Sequence, residues 1–196
     1  MLLTHQSQAK LPTQHGEFVI HVFSDEDGLE HMALAAGAPK DGCLVRIHSE
    51  CATGDILGSR RCDCGEQLAL SLRQISAEGE GLFIYLRGQE GRGIGLANKI
   101  KAYMMQDAGA DTVDANLQLG FPVDARNYDA AIAMLKHFAL RRIRLLTNNQ
   151  RKIDALNAAN ILVTERRALW TTTNPHNAGY LQTKQDRMGH FLRECD

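Results

Sequence analysis

The sequence predicts an α/β (α+β) protein built on a mixed β-sheet with flanking helices. Three observations carry that prediction. The first fifty residues read as strands, the later part alternates strand with helix, and a cysteine-rich loop marks the junction.

Taken in order, Glu17–Phe23 is short and rich in β-branched and aromatic residues. Asp25-Glu-Asp-Gly28 is turn chemistry, so His31–Ala35 pairs back as a hairpin. Cys43–His48 alternates apolar and polar side chains, the pattern of a half-buried strand. Glu66–Ala77 places Leu68, Leu72 and Ile75 at helical spacing, with Gly79 as its stop. Gly81–Leu86 is a strand, Gly88–Gly95 a glycine-rich loop, and Leu96–Ala108 a helix ended by Gly109. Thr112–Leu119 is a short helix opened by a capping threonine, and Tyr128–Phe138 a further helix. Arg141–Leu146 is a strand, Asn148 or Asn149 caps a helix to about Ala159, and Ile161–Glu165 is a strand. The tail from Ala178 to Leu192 is an amphipathic helix.

A chain of 196 residues with 44% apolar content fits one domain, here taken as 1–196. Charged residues make up 23% and the net charge is −1, which gives no general nucleic-acid surface, so any anion site must be local. The longest apolar run, Leu82–Leu86, is far short of the roughly 20 residues a bilayer requires. The amino terminus lacks the basic start and apolar stretch of a signal peptide, which points to the cytoplasm. In that reducing setting clustered cysteines are metal ligands or catalytic groups more often than disulfides. Of the five cysteines, Cys43 reads as strand core and Cys195 as an incidental terminal thiol.

The other three, Cys51, Cys62 and Cys64, crowd into one loop beside His48, Glu50, Asp55, Arg60, Arg61 and Asp63. A structural zinc closes with four protein ligands, whereas a catalytic zinc keeps three and leaves one position open. Three therefore suggests a metal that does chemistry; the competing reading is a structural zinc with a distant fourth ligand. Thiolates favour zinc over magnesium or calcium. Glycines 88, 91, 93 and 95, with Arg87 and Arg92, suit an anion at a strand–helix turn, and Lys99 and Lys101 add charge. The spacing matches neither the dinucleotide fingerprint nor the Walker loop, so a flexible turn is the alternative. Asp124 and Arg126 in a Pro-bearing loop are either a site pair or a surface ion pair. Thr147 and Lys152 follow a strand end, where Asn148 and Asn149 also serve as simple caps. Tyr103, mid-helix, reads by default as core, and His48 is a site candidate.

Together the stretches Arg46-Ile-His-Ser-Glu-Cys-x-Thr-Gly-Asp, Arg61-Cys-Asp-Cys-Gly, Gln89-Glu-Gly-Arg-Gly-Ile-Gly-Leu and Leu145-Leu-Thr-Asn-Asn resemble GTP cyclohydrolase II, and the likeness runs from about Lys10 to Leu192. The resemblance implies a cytoplasmic, homodimeric, zinc-dependent hydrolase acting on cyclic amidine C–N bonds, with magnesium accompanying the nucleotide. GTP is converted to 2,5-diamino-6-ribosylamino-4(3H)-pyrimidinone 5′-phosphate, formate and pyrophosphate, the first step of riboflavin biosynthesis. By motif, Cys51, Cys62 and Cys64 would hold the zinc, whose water attacks C8 of guanine. Tyr103 matches the tyrosine of imidazole ring opening. Arg46, Ile47, His48, Ser49, Glu50, Gln67, Glu90, Gly91, Arg92, Thr112, Thr147 and Lys152 match GTP contacts. Asp124 matches the proton acceptor and Arg126 the nucleophile on the α-phosphate.

That last role strains elementary chemistry, because arginine is always protonated and has no lone pair to offer. A clamp on the phosphate is the chemical alternative. Gly88 is an extra residue that some relatives lack, and it should lengthen the loop without moving Glu90 or Arg92 away. Retention of Tyr103 favours full turnover over a formamidopyrimidine product. The chain is too short to hold the synthase domain that many relatives fuse at the amino terminus. Two other readings remain: a cyclohydrolase serving a specialised heterocycle pathway, and a zinc-stapled nucleotide-binding module without catalysis.

Overall fold

In the computed structural model, which describes residues 2–109, 114, 117–188 and 191, the chain divides into two compact units. The first comprises Met1–His48, Leu68–Arg87 and Asn127–Leu169; the second comprises Ser49–Gln67, Gly88–Arg126 and Trp170–Asp196.

The elements of the described residues follow in chain order. They are β1 (Thr4–Thr13), β2 (Gly16–Ser24), β3 (Glu30–Ala36), β4 (Leu44–Ser49), α1 (Ala52–Asp55), α2 (Cys64–Glu78), β5 (Gly81–Leu86), α3 (Glu90–Gly93), α4 (Leu96–Asp107), α5 (Asp129–His137), β6 (Arg142–Leu146), α6 (Gln150–Ala158), β7 (Leu162–Arg167) and α7 (Ala178–Met188). Most expected elements appear within two residues of their sequence-derived ends. The expected helix over Thr112–Leu119 falls largely outside the described residues, as does the end of the tail.

The strands form one mixed sheet in the order β1-β2-β3-β5-β4-β6-β7. The pairs β1–β2, β2–β3 and β3–β5 are antiparallel, while β4–β6 and β6–β7 are parallel. The Asp25 turn forms as its residues dictate: one carboxylate oxygen accepts from the Asp27 and Leu29 N–H groups at 3.0 and 2.9 Å. This brings Phe23 opposite His31 and Val19 opposite Ala35. No separate strand was expected over Thr4–Thr13, because most of its side chains are polar. It is the sheet's outer strand, with Pro12 near its end and a register shift between His5 and Ser7.

β5 shows how the first unit is layered. Leu82, Ile84 and Leu86 point into one core with Val45, Ile47, Met134, Leu135, Ile143 and Leu156, so α5 and α6 cover that face. Phe83 points the other way, into a core with Phe18, Leu44, Leu72 and Ile75, where α2 packs. A strand covered on both faces is apolar at nearly every position, and Gly81–Leu86 is buried at all but Tyr85. Cys43 is core, as its pattern implied, and burial pushes its thiol up to about 11, far from reactivity at neutral pH. No helix among the described residues is long and apolar enough to cross a membrane.

Ile84 is fully buried at the centre of this sheet. Ile84→Ala should therefore lower stability by about 2–5 kcal/mol, read from urea unfolding midpoints, whereas Leu162→Ala at the exposed start of β7 should change it by less than about 0.5 kcal/mol.

Candidate active site

The cysteine loop closes on itself through its backbone. The Asp55 N–H donates to the Cys51 carbonyl at 2.7 Å, and the Asp55 carboxylate accepts from the Cys51 N–H at 3.0 Å. This single turn, α1, aims the Cys51 sulfur inward, and the following loop returns Cys62 and Cys64 to it. The three sulfurs lie within 4.8 Å of one another, with 3.8 Å between Cys51 and Cys62. Tetrahedral zinc–thiolate bonds of about 2.3 Å put their sulfurs about 3.8 Å apart, so the trio fits that ion. Among the described residues no fourth histidine, cysteine or carboxylate joins the group. Gly54 lies against the trio: a Cβ there would stand 2.8 Å from the Cys62 sulfur and 3.2 Å from that of Cys51.

Hydrogen bonds from Cys62 and Cys64, then Lys99, hold the Cys51 thiol far below its ordinary range. The Cys62 and Cys64 thiols are raised, first by their bonds to Cys51. A metal ion binding all three sulfurs must displace the protons they carry.

A cavity opens beside the trio. Ser49, Glu50, all three cysteines, Glu90, Gly91, Arg92, Tyr103 and Arg126 line it. Segments far apart in sequence thus meet inside the second unit. The glycine-rich stretch is not a plain loop: Gly91 and Arg92 are both left-handed, with φ of 59° and 68°. That conformation is unusual for arginine and turns its side chain inward. Arg92 is buried, and its two terminal nitrogens have no hydrogen-bond partner among the described residues. Its guanidinium faces the Tyr180 ring at 5.7 Å.

Asp124 and Arg126 form a bidentate pair at 2.9 and 2.8 Å, with the Asp124 side chain almost fully buried. It is not a loose surface pair. Arg126 also reaches the Ser49 hydroxyl at 3.4 Å. Glu50 accepts from the N–H of the extra residue Gly88 at 2.7 Å, so that glycine is tied into the site. Tyr103, whose mid-helix place alone reads as core but which the family motif marks as a site residue, lies on the cavity, its ring 4.4 Å from the Arg61 guanidinium. Burial raises its phenol, against the hydrogen bond with Thr53 and the nearby Lys99 charge, so it stays protonated. Arg61 is itself held by Asp107 at 2.8 and 3.3 Å.

Lys99 departs from expectation. Its ammonium donates to Glu90 at 2.6 Å, Thr53 at 2.7 Å and the Cys51 sulfur at 3.1 Å. Burial alone would pull it down, but Glu90 and Cys51 reverse that and hold it charged. With three donors engaged it has none left for a phosphate. Lys101 is exposed on the same helix. Gln67 donates to Asp63 at 2.5 Å and is not among the cavity-lining residues. Thr112 lies outside the described residues. Thr53, Gly54, Arg61 and Tyr180 were missed as site residues, and only Thr53, Gly54 and Arg61 had a signal, their place inside the cysteine motif.

The remaining candidates belong to the first unit. Arg46 donates to the Leu146 carbonyl at 3.0 Å, and Lys152 to the Ile47 carbonyl at 2.7 Å, both from buried positions. His48 stacks on Tyr85 and Phe83. The Thr147 hydroxyl accepts from the Asn149 N–H, and the Asn149 side chain caps α6 through the Arg151 N–H.

The sequence profile of GTP cyclohydrolase II matches residues 4–168. The GTP cyclohydrolase-2 of Azotobacter vinelandii is 55% identical over 195 residues, covering 98% of this chain and 93% of that one. That of Neisseria gonorrhoeae is 51% identical and covers 98% of each. The riboflavin biosynthesis protein RibBA of Chlamydia trachomatis is 54% identical over 97% of this chain, which spans only 46% of that longer relative.

Because a Cβ at Gly54 collides with the sulfurs, Gly54→Ala should lose most of its zinc, from about one ion per chain, while Ala52→Gly keeps it. Elemental analysis of the purified proteins checks this, and full zinc in Gly54→Ala would exclude the trio as the metal centre.

Proposed function

The chain belongs to the GTP cyclohydrolase II family, and from that premise we propose that it hydrolyses GTP in the opening step of riboflavin biosynthesis, in the cytoplasm. One observation carries the reading. Three thiolate donors and a buried guanidinium, Arg92, whose two terminal nitrogens have no hydrogen-bond partner among the described residues, line the same cavity, so one site offers both a metal centre and an anion receptor. A nucleoside triphosphate needs both.

Cys51, Cys62 and Cys64 would hold the zinc, which would supply Lewis acidity for the hydrolysis at C8 of the guanine. Arg92 takes phosphate oxygens on its two free nitrogens, and the left-handed turn at Gly91 and Arg92 presents them. Tyr103, protonated and set beside the cysteines, donates a hydrogen bond or proton as the imidazole ring opens. Asp124 fixes the Arg126 guanidinium by two parallel bonds and keeps it charged. Arg126 then acts as a clamp that stabilises charge on the α-phosphate while pyrophosphate leaves. A guanidinium held this way has no electron pair to attack with, so the clamp is favoured over the covalent role. Arg46, Ile47, His48, Ser49, Glu50, Gln67, Thr112, Thr147 and Lys152 are proposed GTP contacts on motif alone. Magnesium, a hard cation, would accompany GTP as part of the substrate. The products are the diaminopyrimidine ribotide, formate and pyrophosphate, and residues 1–196 form one cyclohydrolase module.

A second copy of the chain is proposed to cover α4. Leu96, Ile100 and Met104 lie one turn apart on that helix and are 47%, 42% and 68% exposed. An apolar stripe on one helix face suits a self-complementary contact.

Purified protein given GTP and magnesium should yield the diaminopyrimidine by mass spectrometry, and a formamidopyrimidine or unchanged GTP would refute the full reaction. Arg126→Ala should slow pyrophosphate release by about 100-fold or more, while an unchanged rate would remove that residue from the site. Ile100→Glu should convert dimer to monomer in light scattering; a persistent dimer would place the interface elsewhere.

A further inference from the structure

Resting on the zinc reading, we infer that Lys99 is a positioning residue of the metal centre, fixing the Cys51 thiolate and tying it to the Glu90 turn. The argument begins with burial. Lys99 is 8% exposed, and an isolated ammonium in such a place is strongly disfavoured. Its three acceptors match its three N–H donors: the Glu90 carboxylate, the Thr53 hydroxyl and the Cys51 sulfur. The Glu90 carboxylate and, when it ligates a metal, the Cys51 sulfur are anionic, so the cation lies between groups that would otherwise repel.

The contacts also form a closed circuit. The second carboxylate oxygen of Glu90 accepts from the Ala52 N–H at 2.5 Å, and Ala52 directly follows Cys51. From Cys51 the path runs through the backbone to Ala52, across to Glu90, on to Lys99 and back to the Cys51 sulfur. Such a ring fixes both the side-chain rotamer and the backbone of one metal ligand. Outer partners of this kind orient ligands and tune the metal. The formal charges agree with the arrangement. A divalent ion with three thiolates carries a net negative charge, and Lys99 offsets it at the sulfur it touches. Neither Cys62 nor Cys64 is given such a partner by Lys99, so the effect falls on one ligand.

Cobalt(II) serves as the probe, because thiolate-to-cobalt charge transfer is visible and senses hydrogen bonding at sulfur. Lys99→Met and Lys99→Gln should each bind cobalt and zinc about 10- to 100-fold more weakly in chelator competition, with a shifted charge-transfer band. Lys99→Gln keeps a neutral donor of similar shape, so it decides the matter if Lys99→Met does not fold, as judged by circular dichroism. A folded variant with wild-type affinity and an unshifted band would overturn the inference. Failure of the zinc reading looks different: wild-type protein would then show no thiolate band, and Cys64→Ser would change nothing.

Discussion

Glu90 is a carboxylate with both oxygens engaged, one by the Ala52 N–H and one by Lys99, and the second unit's cavity depends on it. Without that anion the Lys99 ammonium would be a buried cation beside a thiol trio, and the turn carrying Arg92 would lose its anchor. Charge burial is tolerated here because each group meets a partner of opposite sign or a matching donor. The same rule explains Asp124, which is almost fully buried yet bound on both oxygens by Arg126. Arg92 is the exception. Its two terminal nitrogens have no hydrogen-bond partner among the described residues, which is why it is proposed as the anion receptor.

The first unit solves a different problem. Its sheet is covered by helices on both faces, so backbone and side chains must be satisfied internally. Arg46 and Lys152 are buried cations there, but each donates to a backbone carbonyl at a strand residue, Leu146 and Ile47. On the exposed side Glu78 receives both Arg144 and Arg167, joining α2 to neighbouring strands. Those pairs are solvent-screened and contribute far less than the apolar layers they border.

Much of this was legible in the residues. β5 announced itself by an apolar run, and the cysteine trio by count and spacing. Helix ends followed from Gly79, Asn149 and Gly109. What escaped depended on distant packing. Lys99 looked like a phosphate ligand, because sequence shows a charge but not the thiolate and carboxylate brought to it from other segments. Arg92 gave no sign of its left-handed backbone, which only glycine advertises in a sequence. Tyr103 reads as core from its mid-helix place, and only the resemblance marked it for the site whose cavity it lines. Tyr180 lies beyond the family match at residue 168, where no motif pointed. β1 was hidden by its own polarity.

That polarity has a bearing on how the molecule behaves in concentrated solution. Among the described residues the outer strands of the sheet, β1 and β7, each leave one row of backbone groups without a neighbouring strand. β1 carries Lys10, Pro12 and a register break, and β7 ends in Glu165, Arg166 and Arg167. A foreign strand seeking to extend the sheet would meet a missing donor and a kink at one edge, and clustered charge at the other. Both edges thereby resist extension by a further strand.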